Sequence, residues 1–134
     1  MGRTNYTQKT LEHLRKEGMT VGVVERHISF NNGKKGFGFK RDLFGFIDII
    51  AIKDQTTIGV QSTSYACISA HKVKIIKEKT SDAIKWVRAG HSILIYGWRK
   101  VPQVKGSKRM VWRPKIVEIT LEMLEEQAKV FSYR

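Results

Sequence analysis

Leu43-Phe44-Gly45-Phe46-Ile47-Asp48-Ile49-Ile50-Ala51-Ile52 is apolar on both faces of an extended chain except at Asp48. Such a run predicts a strand near the centre of a sheet covered on both sides. Before it, Thr20-Val21-Gly22-Val23-Val24-Glu25-Arg26-His27-Ile28 predicts a strand entering a hairpin, with turn residues from 31 to 38 that include Asn32-Gly33. After it, a turn at Asp54-Gln55 leads to a third strand over residues 57–63. Asn5-Tyr6-Thr7-Gln8 offers capping chemistry for a helix over residues 7–17, which carries Leu11 and Leu14 on one face and stops at Gly18. Residues 68–78 read as a helix, and Ser81 reads as the cap of another that ends at Gly90. A buried strand over 93–98 and a strand over 110–119 follow, the latter marked for a sheet edge by Pro114. Thr120 opens a closing helix over about 121–131, with Leu121, Leu124, Ala128 and Phe131 facing inward. The order α-β-β-β-α-α-β-β-α describes one α/β domain, a mixed β-sheet flanked by helices.

The chain carries 25 Lys+Arg against 12 Asp+Glu in 134 residues, a formal net charge of +13. The excess is concentrated between Lys72 and Lys115, where thirteen basic residues face only Glu78 and Asp82. A folded domain this basic attracts a polyanion, and counterion release from phosphates would supply much of the affinity. Nucleic acid is therefore the expected partner, ahead of an anionic membrane surface. Apolar runs fall well short of the roughly 20 residues a membrane-spanning helix needs. Cys67 is the only cysteine, which excludes a disulfide scaffold and a Cys-based zinc site, and the N-terminus lacks the apolar run of a signal peptide. A cytoplasmic protein is expected.

Asp48 is the anomaly. An ionised carboxylate inside a buried strand costs several kcal/mol, roughly, unless it is paired or binds a metal. If the strands over 43–52 and 57–63 are neighbours, Asp48 and Gln61 project into one place, and their oxygens suit Mg²⁺ or Mn²⁺. The alternative is that Asp48 hydrogen-bonds a neighbouring strand end or pairs with Arg41 or Arg26. Asp42 shares the face of Asp48, but six extended residues put it roughly 20 Å away at about 3.3 Å per residue, too far for one metal.

Phe46-Ile47-Asp48, a turn, and then Gln61-Ser62-Thr63 before a helix resemble the PD-(D/E)XK nuclease superfamily, which carries an aspartate on its second core strand and E-x-K on its third. Arg41 to Asp48, Gln61 to Ser64 and Tyr96-Gly97-Trp98-Arg99-Lys100 are similar to small phage and bacterial proteins related to Holliday junction resolvases and VRR-type nucleases. The resemblance covers residues 5–120. It implies a restriction-endonuclease-like fold, a divalent metal, DNA as substrate, and a bacterial or phage-infected host cell. Gln61 stands where the motif has its acid and Thr63 where it has its lysine. Lys72, Lys74 or Lys40 would then have to supply the ammonium. A further metal ligand is expected from the first helix or its surroundings, which points to Glu12 or, on a buried strand, Glu25.

The expected site is thus Asp48, Gln61, Glu25 and Thr63 with Lys72 for catalysis, and Asp48, Gln61, Glu25 and Glu12 for metal. The DNA-binding set is Lys34, Lys35, Lys40, Arg41, Lys74, Lys77, Arg99, Lys100, Lys105 and Lys108. The four histidines are scattered, with no ligand spacing, and read as structural. The expected function is a metal-dependent DNA endonuclease acting on branched or junction DNA. A homodimer would place two sites on opposed strands of a near-two-fold junction. The alternatives are a DNA-binding protein that keeps the fold without cleavage and, third, an RNA-binding module.

Overall fold

Asn5 starts the first helix, its side-chain oxygen accepting the Gln8 backbone N–H at 2.9 Å, and α1 (Tyr6–Lys16) follows. Gly18, at φ +85°, turns the chain out of it. In the computed structural model, residues 4–30 and 37–132 are described, with backbone alone for 27–30, 37–40 and 131–132. The strands are β1 (Thr20–Val23), β2 (Arg26–Phe30), β3 (Phe37–Arg41), β4 (Ile49–Lys53), β5 (Thr56–Ser64), β6 (Ser92–Pro102) and β7 (Met110–Ile119). Between β5 and β6 lie a 3₁₀ turn (Tyr65–Cys67), α2 (Ile68–Val73), a π turn (Lys74–Glu78) and α3 (Thr80–Arg88). The described chain closes with α4 (Leu121–Ser132), whose Met123 N–H is capped by the Thr120 hydroxyl at 3.3 Å.

Five strands form a mixed sheet in the order β1-β4-β5-β6-β7, and β2 pairs with β3 apart from it. The β5–β6 pair is parallel and the other pairs are antiparallel. A parallel pair needs a long crossover, and the helices between β5 and β6 supply it. Alternation along β6 feeds two cores. Ile93 and Ile95 join Ile68, Ile75, Ala83 and Leu124 beneath α2, α3 and α4. Tyr96 and Trp98 join Leu11 and Leu14 beneath α1. Pro114 lies on β7, an outer strand of the sheet, the position to which proline is confined within sheets.

Two expected strands are broken. The run over 20–28 divides at Val24 and Glu25 into β1 and β2, which belong to different sheets. The run over 43–52 becomes a strand only at Ile49. Ahead of it the chain folds back at residues 42–47, where the Gly45 N–H bonds the Asp42 carbonyl (3.0 Å) and the Leu43 N–H bonds the Ile47 carbonyl (2.7 Å). Positive φ at Phe44 (56°) and Gly45 (83°) makes that reversal. With β3 formed at Phe37–Arg41, between the turn segment and the expected strand over 43–52, the described residues hold seven strands rather than five. Ser81 lies inside the first turn of α3 rather than capping it, and the helix expected over 68–78 is interrupted by the π turn. Leu124 is buried on α4 as expected, while the Phe131 side chain lies outside the described residues. No described helix is long and apolar enough to cross a membrane.

Gly97 is a test of how closely α2 packs. A Cβ there would run into the Ile68 side chain and come within 3.2 Å of the Tyr65 Cα. Gly97→Ala is expected to cost about 1–3 kcal/mol by overpacking. Gly22→Ala, with open space around its new methyl, should leave the melting temperature nearly unchanged. Equal melting of both variants would contradict this packing.

Candidate metal centre

The carboxylates come together where three chain segments meet. The Val24 N–H bonds the Asp48 carbonyl at 3.0 Å, extending the β1–β4 ladder to Asp48. The Asp48 N–H bonds the Val60 carbonyl at 3.0 Å, which ties the same residue to β5. The β2–β3 ladder pairs Arg26 with Arg41, so Glu25 and Asp42 stand opposite each other just outside it. The fold-back at 42–47 then returns the chain to Asp48. As a result Glu25, Asp42 and Asp48 each bring a carboxylate oxygen within 4.8 Å of the others. Asp42 is thus part of the group that extended-strand geometry excludes it from, because the chain between it and Asp48 is not extended.

Asp48 is only 3% exposed and Gln61 only 5%. Gln61 Nε2 (3.2 Å) and the Ser62 N–H (3.1 Å) both donate to Asp48 Oδ2. Asp48 Oδ1 and Gln61 Oε1 are buried with no hydrogen-bond partner. Buried oxygens are almost always satisfied, and two orphans beside two further carboxylates fit a hard cation that takes oxygen ligands. An octahedral Mg²⁺ with ligands at about 2.1 Å holds its oxygens roughly 3.0–4.2 Å apart, within reach of this group after a small closure. Burial, aided by repulsion from Asp42 and Glu25, pushes the Asp48 carboxyl up to about 8 against the pull of the Ser62 N–H. A proton and a cation would therefore compete for one position.

The group opens into a cavity of about 470 Å³ walled on one side by residues 4–7 at the start of α1. No search against family models, curated proteins or solved structures finds a match. The site rests on its own geometry.

A hydroxyl network holds β5 in place behind Asp48. Thr10 Oγ1 accepts from Trp98 Nε1 (2.9 Å), meets Ser62 Oγ at 2.7 Å and bonds the Tyr6 carbonyl at 2.9 Å. It fixes Ser62, whose N–H orients Asp48, against α1 and β6.

Other expected residues lie apart. Glu12 accepts from Gln8 Nε2 at 3.3 Å and lines a different groove with Lys9, Lys16 and Trp112. Thr63 is buried on β5, two residues beyond Gln61. Lys72 faces a cavity with Tyr65 and Lys115, away from the carboxylates. His71, read as structural, lies close enough to Asp42 and Lys74 to feel both charges, and burial lowers its pKa first of all. Arg99 stacks over Tyr65 at 4.1 Å and Lys100 lies 5.5 Å from the Trp112 ring. Arg41, Lys77, Lys105 and Lys108 are exposed and Lys74 is half-buried. Lys34 and Lys35 lie outside the described residues, as does the side chain of Lys40. The signal that could have found Asp42 is Asp42-Leu43-Phe44-Gly45, an aspartate three residues before a glycine, which is turn chemistry.

Proposed function

We propose that this chain is a divalent-metal-dependent DNA endonuclease with the nuclease-like fold its sequence resembles. The observation that carries the reading is the pair of orphaned buried oxygens, Asp48 Oδ1 and Gln61 Oε1, beside Glu25 and Asp42. Those four residues would hold Mg²⁺ or Mn²⁺. Such an ion supplies polarisation of a phosphate and acidification of water. Gln61 Nε2 and the Ser62 N–H fix the Asp48 carboxylate. Exposed Arg99, Lys100, Lys105 and Lys108 on and beside the β6–β7 hairpin would hold the DNA backbone without reading sequence. Two copies about a two-fold axis would address opposed strands of a junction, and a DNA substrate goes with a cytoplasmic location.

A second reading, a DNA-binding protein without cleavage, is favoured by one observation: among the described residues the carboxylate cavity is lined by no lysine or arginine. Linear, flapped and four-way DNA incubated with Mg²⁺, Mn²⁺ or EDTA separates the two. Cleavage with the metals and none in EDTA is expected; binding without cleavage under any metal would establish the second reading. Under either, affinity should fall steeply between low and moderate salt. A flat salt response would remove DNA as partner.

A further inference from the structure

The turn that returns the chain from Asp42 to Asp48 carries a phenylalanine in an unfavourable state. Phe44 has a left-handed backbone (φ 56°), which bulky residues avoid, and its side chain is 53% exposed. Its ring stands at the rim of a cleft of about 280 Å³, 6.3 Å from Trp86, which in turn lies 4.6 Å from His91. A second cavity of about 430 Å³ shares Phe44 and Asp82 with this cleft and Asp42 with the carboxylate group. It is lined by Arg26, Arg41 and Lys79, with Asp82 as its acid besides Asp42. Arg26 and Arg41 are direct cross-strand neighbours, which concentrates positive charge on one face of this ladder. Leading away from the carboxylates, the surface carries first three cations and then an aromatic cleft flanked by Lys85, with Asp82 at the border of the two, roughly the alternation of a nucleotide's phosphate and base.

Resting on the endonuclease reading, we propose that these two cavities are a subsite for an unpaired DNA nucleotide next to the cut. Arg26, Arg41 and Lys79 take its phosphate, and its base stacks on Phe44 in the cleft with Trp86 and His91. A paired base has no free face to offer, so the substrate is single-stranded at that position, as at a flap or branch.

The test is anisotropy of a labelled single-stranded oligonucleotide and of its blunt duplex, both in EDTA so that neither metal nor cleavage enters. Phe44→Gly removes the ring and suits the positive φ, so the fold is kept; Phe44→Leu is the second variant should the glycine form not fold. Single-strand affinity is expected to fall about tenfold with duplex affinity unchanged. Arg26→Gln with Arg41→Gln should lower the single-strand salt slope by about 1.4. Unchanged single-strand affinity, or an equal loss on duplex, overturns the subsite. A protein that cuts with Mg²⁺ while Phe44→Gly binds as its parent retains the endonuclease reading alone. A protein that never cuts, yet binds single strands through Phe44, retains the subsite alone.

Discussion

Asp48→Asn is expected to reduce metal-dependent cleavage by about a thousandfold, the scale on which a charge-stabilising group is lost, while DNA affinity stays within a few-fold. Asparagine keeps the shape and can still accept from the Ser62 N–H, which now bonds Asp48 Oδ2 at 3.1 Å. It removes the negative charge that would attract a dication, and the basic residues proposed to hold DNA are untouched. The fold should not suffer: near neutral pH the metal-free aspartate is already largely protonated, since burial pushes it up to about 8. Cleavage rates and binding isotherms of parent and variant decide the matter. Equal cleavage by the two would end the assignment of Asp48.

The metal-free protein should become less stable as the pH rises from about 4 to about 8. An unfolded aspartate loses its proton near pH 3.9, roughly, whereas folded Asp48, chiefly through desolvation, retains it to about 8. Between those limits the native state binds a proton that the unfolded chain does not, so stability falls by up to about 1.4 kcal/mol per pH unit. The loss amounts to a few kcal/mol, on the order of several degrees or more in melting temperature. Below the window both states are protonated and above it both are ionised, so Asp48 contributes no further slope. Mg²⁺ should act in the opposite sense, displacing the proton and raising the melting temperature more at pH 8 than at pH 5. Melting curves in EDTA and in Mg²⁺ from pH 5 to 9 test this. An Asp48→Asn variant with the parent's full pH slope would assign the effect to another group.

Legibility from sequence follows how local the determinants are. The elements at residues 7–17, 57–63, 93–98 and 110–119 are readable because each is a regular backbone whose burial, on one stripe, one face or both faces, shows in its apolar pattern. The Asp48–Gln61 proximity follows from strand alternation once the short turn at Asp54-Gln55 makes the two strands neighbours. The reversal at 42–47 is not readable in the same way. Its apolar residues fit a buried strand as well as a turn packed into the core, where Phe46 and Ile47 are fully buried, and phenylalanine carries no preference for the left-handed conformation it adopts at Phe44. Missing that reversal hides Asp42. The nearness of His71 to Asp42 is not readable either, because it arises between elements, on α2 and the turn, that no periodicity links.

The base of the β2–β3 hairpin has a consequence for how the molecule could change over time. Everything between Arg26 and Arg41 leaves and re-enters the domain at adjacent points, because those two residues are paired. Matched additions or deletions on the two strands would leave Glu25 and Asp42 in place, whereas a one-residue slip would turn the whole ladder over. The stretch is in effect an exchangeable cassette, free to diverge while the carboxylates at its foot stay in register.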